Sequence, residues 1–141
     1  MTFDKISIDI KCDCLSGAHI DTENEYVRKL KKDVLDEKDF LTHWERGLHH
    51  DNTECEEICS YKGISINMIN PEFEEQILTK YKTTFSFNPK KGAYILKFKL
   101  KDGAGKVKFA PLEDDQSHYN LFKADNFSLL SLEVIDTVKF A

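Results

Sequence analysis

From Tyr94 to Lys101 the chain reads YILKFKLK, so that Tyr94, Leu96, Phe98 and Leu100 share one face of a period-two pattern and Ile95, Lys97, Lys99 and Lys101 share the other. A segment patterned this way buries one side and leaves the other wet, which predicts a half-buried strand of an antiparallel sheet. The turn DGAG and the return KVKF predict that this strand continues into a hairpin. The β reading extends from TTFSF (83–87) to the last run, where Leu130, Leu132, Val134, Val138 and Phe140 alternate with only Asp136 out of place on the apolar face.

The first half carries a different code. Ile6, Ile8, Ile10, Cys12 and Cys14 alternate with charged and polar residues and predict an opening strand. After Ser16-Gly17, Thr22 and Glu25 form a capping-box pattern followed by Val27, Leu30 and Val34 at helical spacing. Asp36, Glu37 and Asp39 suit the positive start of a second helix, with Phe40, Leu41 and Trp44 on its inner stripe and Gly47 as its stop. Thr53 and Glu56 cap a short third helix carrying Cys55, Ile58 and Cys59. Ile64, Ile66 and Met68 then alternate as a strand, and Asn70-Pro71 starts a helix whose Phe73, Ile77, Leu78 and Tyr81 form an apolar stripe. Strand, helices, strand, helix and a run of strands make an α+β fold: helices packed on one face of a mostly antiparallel sheet, with a β-rich C-terminal half.

A chain of 141 residues, 40% hydrophobic, has the size of a single globular domain spanning 1–141 and buries roughly two thirds of its unfolded surface. Four cysteines are far below the density of disulfide scaffolds, so folding is expected without staples. Asp4, Lys5 and Asp9 interrupt the apolar core that a signal peptide requires, which points to the reducing cytoplasm. No apolar run approaches the ~18 residues of a membrane helix. A net charge of -5 and a pI near 5.5 speak against a membrane partner and make nucleic acid an unfavourable one.

The stretch HWERGLHHDNTECEEIC (43–59) concentrates metal-ligand chemistry. Zinc takes four Cys or His ligands in a tetrahedron, and His43, His49, His50, Cys55 and Cys59 are candidates to supply them. Cys12 and Cys14 on one strand face would stand roughly 6.6 Å apart, wider than the ~3.8 Å between sulfurs sharing one zinc. The alternative is that all four cysteines are small buried hydrophobes that stay reduced, with Trp44 a core anchor. A thiol enzyme using Cys55 or Cys59 with His43 or His49 is a further reading, opposed by the thiolate-raising carboxylates of Glu54, Glu56 and Glu57. Glu113, Asp114, Asp115 and His118 read as solvated loop, with divalent-cation binding the alternative.

Charge is the clearest asymmetry. Residues 90–108 hold seven lysines and one acid, Asp102, a segment of +6 that leaves -11 for the rest of the chain. Lys97, Lys99 and Lys101, with Lys106 and Lys108 returning beside them, form the predicted binding surface for an anionic macromolecular partner, protein before nucleic acid because arginine and exposed aromatics are missing. The function expected from these features is a small binding or regulatory protein that acts by stoichiometric interaction with another macromolecule. The alternative is a metal-dependent or thiol enzyme built on residues 43–59.

Overall fold

The computed structural model describes residues 1–8, 10–50, 54–70, 75, 77, 79 and 94–139. Among the described residues six strands form one antiparallel sheet: β1 (Tyr26–Leu30), β2 (Ile64–Met68), β3 (Tyr94–Leu100), β4 (Gly105–Phe109), β5 (His118–Lys123) and β6 (Leu132–Lys139). Their spatial order is β4-β5-β2-β1-β3-β6. Among the described residues the α-helices are α1 (Asp4–Ser7) and α2 (Cys55–Lys62), and Glu75, Ile77 and Thr79 are also helical. The fold is therefore mostly β, with less helix than an α+β reading implies. None of the described helices is long and apolar enough to cross a membrane.

Register sorts the side chains onto two faces. Tyr26, Ile66, Phe98, Val107 and Leu121 lie on one face and form the main core, to which the 3₁₀ turn Glu37–Phe40 adds Phe40. The sheet must curl around this core. The four residues between β3 and β4 reach at most about 17 Å, whereas four strand spacings in a flat sheet need about 19 Å. On the opposite face Val27 and Ile95 pack on Ile77, and Phe122 packs on Ile6 and Cys14 with Cys59 against them. Ile77, Ile6 and Cys59 thus bring helical residues to this face while the 3₁₀ turn lies on the other, so the packing that the α+β reading expected is present only in part.

Three elements differ from what the local code predicts. Residues 22–34 hold β1 in place of a helix: YVRKL is short and carries β-favouring Tyr and Val, and central pairing with β2 and β3 supplies more hydrogen bonds than an isolated turn of helix could. The capping box of Thr22 is not used; Asp21 instead accepts from the N–H groups of Glu23 and Asn24 at 3.0 Å each, turning the chain into β1. The helix expected from Asp36 to Gly47 is only the 3₁₀ turn, although its Asp36–Asp39 capping box is present. The opening strand is replaced by α1 and an irregular segment. The expected helix at 70–81 falls mostly outside the described residues, Phe73, Leu78 and Tyr81 included, as do Thr53, TTFSF and Phe140.

Cys12–Cys55 and Cys14–Cys59 are disulfides, which overturns the expectation of four reduced thiols and of a fold without staples. Two cysteines two residues apart in extended chain stand about 6.6 Å from each other, and residues four apart on a helix rise about 6 Å. The spacing too wide for one zinc therefore matches the pitch of α2.

Burial works against the charge of Asp21, but bonds from the Tyr26 hydroxyl (2.6 Å), the Asn24 side chain (2.7 Å) and two backbone N–H groups more than offset it and hold the carboxyl down to about 2. The folded value lies below the ordinary 3.8, so this contribution is complete above pH 4 and is lost as pH falls toward 2. We expect the wild type to lose about 2 kcal/mol more than Asp21→Asn across that window, measured by urea unfolding at pH 5 and pH 2.5. Parallel losses in the two proteins would show that Asp21 carries no such coupling.

Candidate functional site

A sheet of this kind has two edges, and the chain treats them differently. At the β4 edge the Val107 N–H donates to His19 O at 2.8 Å and the His19 N–H donates to Val107 O at 2.9 Å, so a loop of the same chain occupies the outer side of the strand. β6 forms the other edge, and among the described residues none pairs with its outer side. The strand is eight residues long and exposed from Glu133 to Lys139. Val134 is 48% exposed, Ile135 41% and Val138 45%, and the preceding Leu130 is 81% exposed. An unpaired edge with apolar side chains is a template for strand addition.

Its charges are ordered by a bulge. Lys97 lies opposite Asp136 and Phe98 opposite Val134, so Ile135 is the extra residue of β6. The shift turns Asp136 to the lysine side of the sheet while Val134 stays with Phe98, which resolves the apparent misplacement of Asp136 in the sequence pattern. Lys99 lies opposite Glu133. Lys97 also pairs with Glu25 at 3.2 Å.

The predicted basic hairpin does not form as a hairpin. β3 is already flanked by β1 and β6, so β4 pairs with β5 and is separated from β3 by three strands. Lys97 and Lys99 are therefore together on β3, Lys101 is exposed just beyond its end, and Lys106 and Lys108 lie apart on β4. Pairing β3 with β4 would have set lysines against lysines, and the observed order avoids that cost. Lys90 and Lys91 lie outside the described residues.

The metal ligands expected in 43–59 are also dispersed. Cys55 and Cys59 are half of the two disulfides, and a sulfur bonded to sulfur is neither a thiolate ligand nor a nucleophile. The zinc and thiol-enzyme readings of these two residues are corrected accordingly. His49 stacks on Trp44 with 3.9 Å between ring centroids, His43 lies 6.3 Å from the Tyr61 ring, and His50 is exposed. No group of three or more potential metal ligands occurs among the described residues.

Trp44 stands outside the main core, at a cavity of about 300 Å³ between α1, the 42–45 turn and the end of β5. Its charged lining holds structure together. α1 has only four residues, too few to persist alone. Asp125 accepts from the Asp4 and Lys5 N–H groups at its start, at 2.9 and 2.8 Å, and from the Thr2 hydroxyl at 2.5 Å. That hydroxyl is the leading reason the Asp125 carboxyl lies below the usual carboxylate range. At the other end Lys62, 3% exposed, donates to Ile8 O at 2.8 Å and lies 4.3 Å above the Trp44 ring. Lys123 donates to Glu45 at 2.6 Å and to Phe40 O at 2.8 Å. Burial opposes the charge of Glu45, but Lys123 and the Thr42 N–H hold its carboxyl below the ordinary value.

A polar group that local patterns do not reveal crosses the sheet face opposite the main core. Asp115, 1% exposed, receives the Asn67 amide at 2.8 Å and the Ser117 hydroxyl at 2.9 Å. Glu113 and Asp114 are exposed, and His118 turns away from all three acids: its Nδ1 is 2.7 Å from Ala110 O and its Nε2 is 2.8 Å from Ser65 Oγ. Ser65 and His118 are 53 residues apart, and only the β2–β5 register brings them together. Comparison with protein-family models, with curated proteins and with solved structures found no match.

Proposed function

We propose that the protein acts by stoichiometric binding of another protein, which adds an extended segment to the outer edge of β6. The observation that carries this reading is the contrast between the edges: one is occupied by His19 of the same chain, while β6 presents Val134, Ile135 and Val138 to solvent. Main-chain hydrogen bonds would supply affinity and the alternate side chains specificity.

Charge indicates the kind of segment. Glu133 and Asp136 stand one row outside Lys99 and Lys97, so a basic residue arriving next to them continues an alternation of sign across three strands. The chain's net charge of -5 favours the same partner. A second copy fits less well, because antiparallel self-pairing that matches Glu133 with Lys139 also sets Asp136 against its own copy. This replaces the anionic partner expected from the lysines, since β3 and β4 do not combine into one basic surface. The two disulfides also favour a compartment in which disulfides persist over the reducing one expected from composition.

The expected result is one identified partner bound at unit stoichiometry, with the β6 amides that point away from β3 gaining hydrogen-exchange protection in the complex. Ile135→Lys and Asp136→Lys should each weaken binding at least tenfold, and added salt should weaken it for the wild type. Protection confined to other elements would remove β6 as the docking strand. A concentration-dependent dimer protected at β6 would make the occupant a second copy.

A further inference from the structure

We propose that Ser65 is an activated nucleophile for acyl transfer from small esters, with His118 as its general base. The inference is independent of the docking reading and rests on the geometry of β2 and β5. A backbone carbonyl can only accept, so Ala110 O at 2.7 Å requires the proton on Nδ1 of His118. In the neutral ring Nε2 then holds a lone pair, and the Ser65 hydroxyl, 2.8 Å away, is placed to donate to it. Nucleophile, base and a third group that fixes the base's tautomer and orientation are the three elements of an activated serine, here with a carbonyl in the orienting role. His118 is 9% exposed while Ser65 is exposed, so the base is held in the sheet and the serine is open to solvent.

The surrounding row of the sheet face is polar. Asn120 lies directly opposite Ser65 on β5, and Lys108 lies directly opposite Asn120 on β4. Residues opposite each other in a ladder point to the same face, so Asn120 stands one strand from the serine and Lys108 two, the Lys108 stem lying against Gly17. In the reaction, Ser65 Oγ forms a bond to the ester carbonyl carbon as its proton passes to His118 Nε2, and the Nδ1–H bond to Ala110 O steadies the imidazolium. Collapse of the tetrahedral intermediate breaks the carbon–oxygen bond to the leaving group, which takes the proton from Nε2 and departs as an alcohol or phenol. Water attacking the acyl-serine, with its proton again taken by Nε2 and returned to Ser65, releases the carboxylic acid. Atoms and charge balance with no co-reactant beyond water.

The probe is an alkyl fluorophosphonate, with 4-nitrophenyl acetate as the ester. Peptide mapping should place the phosphonyl adduct on Ser65 at a rate at least tenfold above that at the exposed Ser7, Ser16 and Ser60 of the same molecule, which need no variant to serve as controls. Acetyl transfer should appear as a mass increase on the same peptide. His118→Gln should lower the Ser65 rate at least tenfold, and Ser65→Ala should abolish labelling of that peptide in a protein that remains folded. Labelling spread evenly over exposed serines, or an unchanged Ser65 rate in a folded His118→Gln protein, would overturn the proposal and leave the Ser65–His118 bond a structural one.

Discussion

Loss of the two disulfides is expected to cost the fold at least about 4 kcal/mol, the chain-entropy value for closing a single loop of this length. Cys12–Cys55 and Cys14–Cys59 span 43 and 45 residues, and because the loops overlap the second adds less than the first. The cross-links also organise the native state. Ile6 and Cys14 cover Phe122 on the second sheet face, and α1 depends on Asp125 and Lys62 for its ends. Urea unfolding of the oxidised protein and of a variant with all four cysteines changed to serine measures the difference. Equal midpoints would show that the N-terminal segment adds nothing to stability.

Phe98→Ala is expected to destabilise by about 3–5 kcal/mol. The side chain is fully buried, with its ring centroid 5.7 Å from Phe40 edge-on and 6.3 Å from Tyr26, and both neighbours are themselves fully enclosed, so the site cannot collapse easily. Val134→Ala, directly opposite on β6, removes a half-exposed side chain and is expected to cost less than about 1 kcal/mol. The pair distinguishes the enclosed strand from the open edge next to it. Similar losses at both positions, measured by denaturant unfolding, would mean that β6 is more enclosed than its exposure indicates.

Local alternation was a sufficient guide for some of the strands that meet the main core, and not for β1 or β5. β2, β3, β4 and most of β6 lie where the pattern puts them, and α2 carries Cys55, Ile58 and Cys59 as expected. β1 was not legible because Val27, Leu30 and Val34 fit a helical stripe as well as Tyr26 and Leu30 fit a strand face, and pairing on both sides decides between them. The alternation of Ile6 to Cys14 was misleading for a different reason. Ile8 is 59% exposed, while Cys12 and Cys14 are positioned by bonds to a helix more than forty residues away. Cysteine count alone concealed those bonds, although the match between an i, i+2 pair and an i, i+4 pair was available as a signal.

The candidate sites were less legible than the fold. A DGAG turn ordinarily joins neighbouring strands and would group the lysines, whereas β4 leaves β3 at that corner for the far edge. The open edge is a property of strand order, and β6 differs from an interior strand in sequence chiefly by Asp136 and the bulge at Ile135. Ser65 and His118 meet through the β2–β5 register, which neither local segment encodes.

Hydrogen exchange of the isolated, oxidised protein, resolved amide by amide, tests the asymmetry of the two edges most directly. The structure predicts slow exchange at Val107, whose N–H is held by His19 O on the outer side of β4, and fast exchange at the β6 amides that point away from β3. Outward β6 amides as slow as Val107 would mean that this edge is already covered and would contradict its assignment as the docking strand.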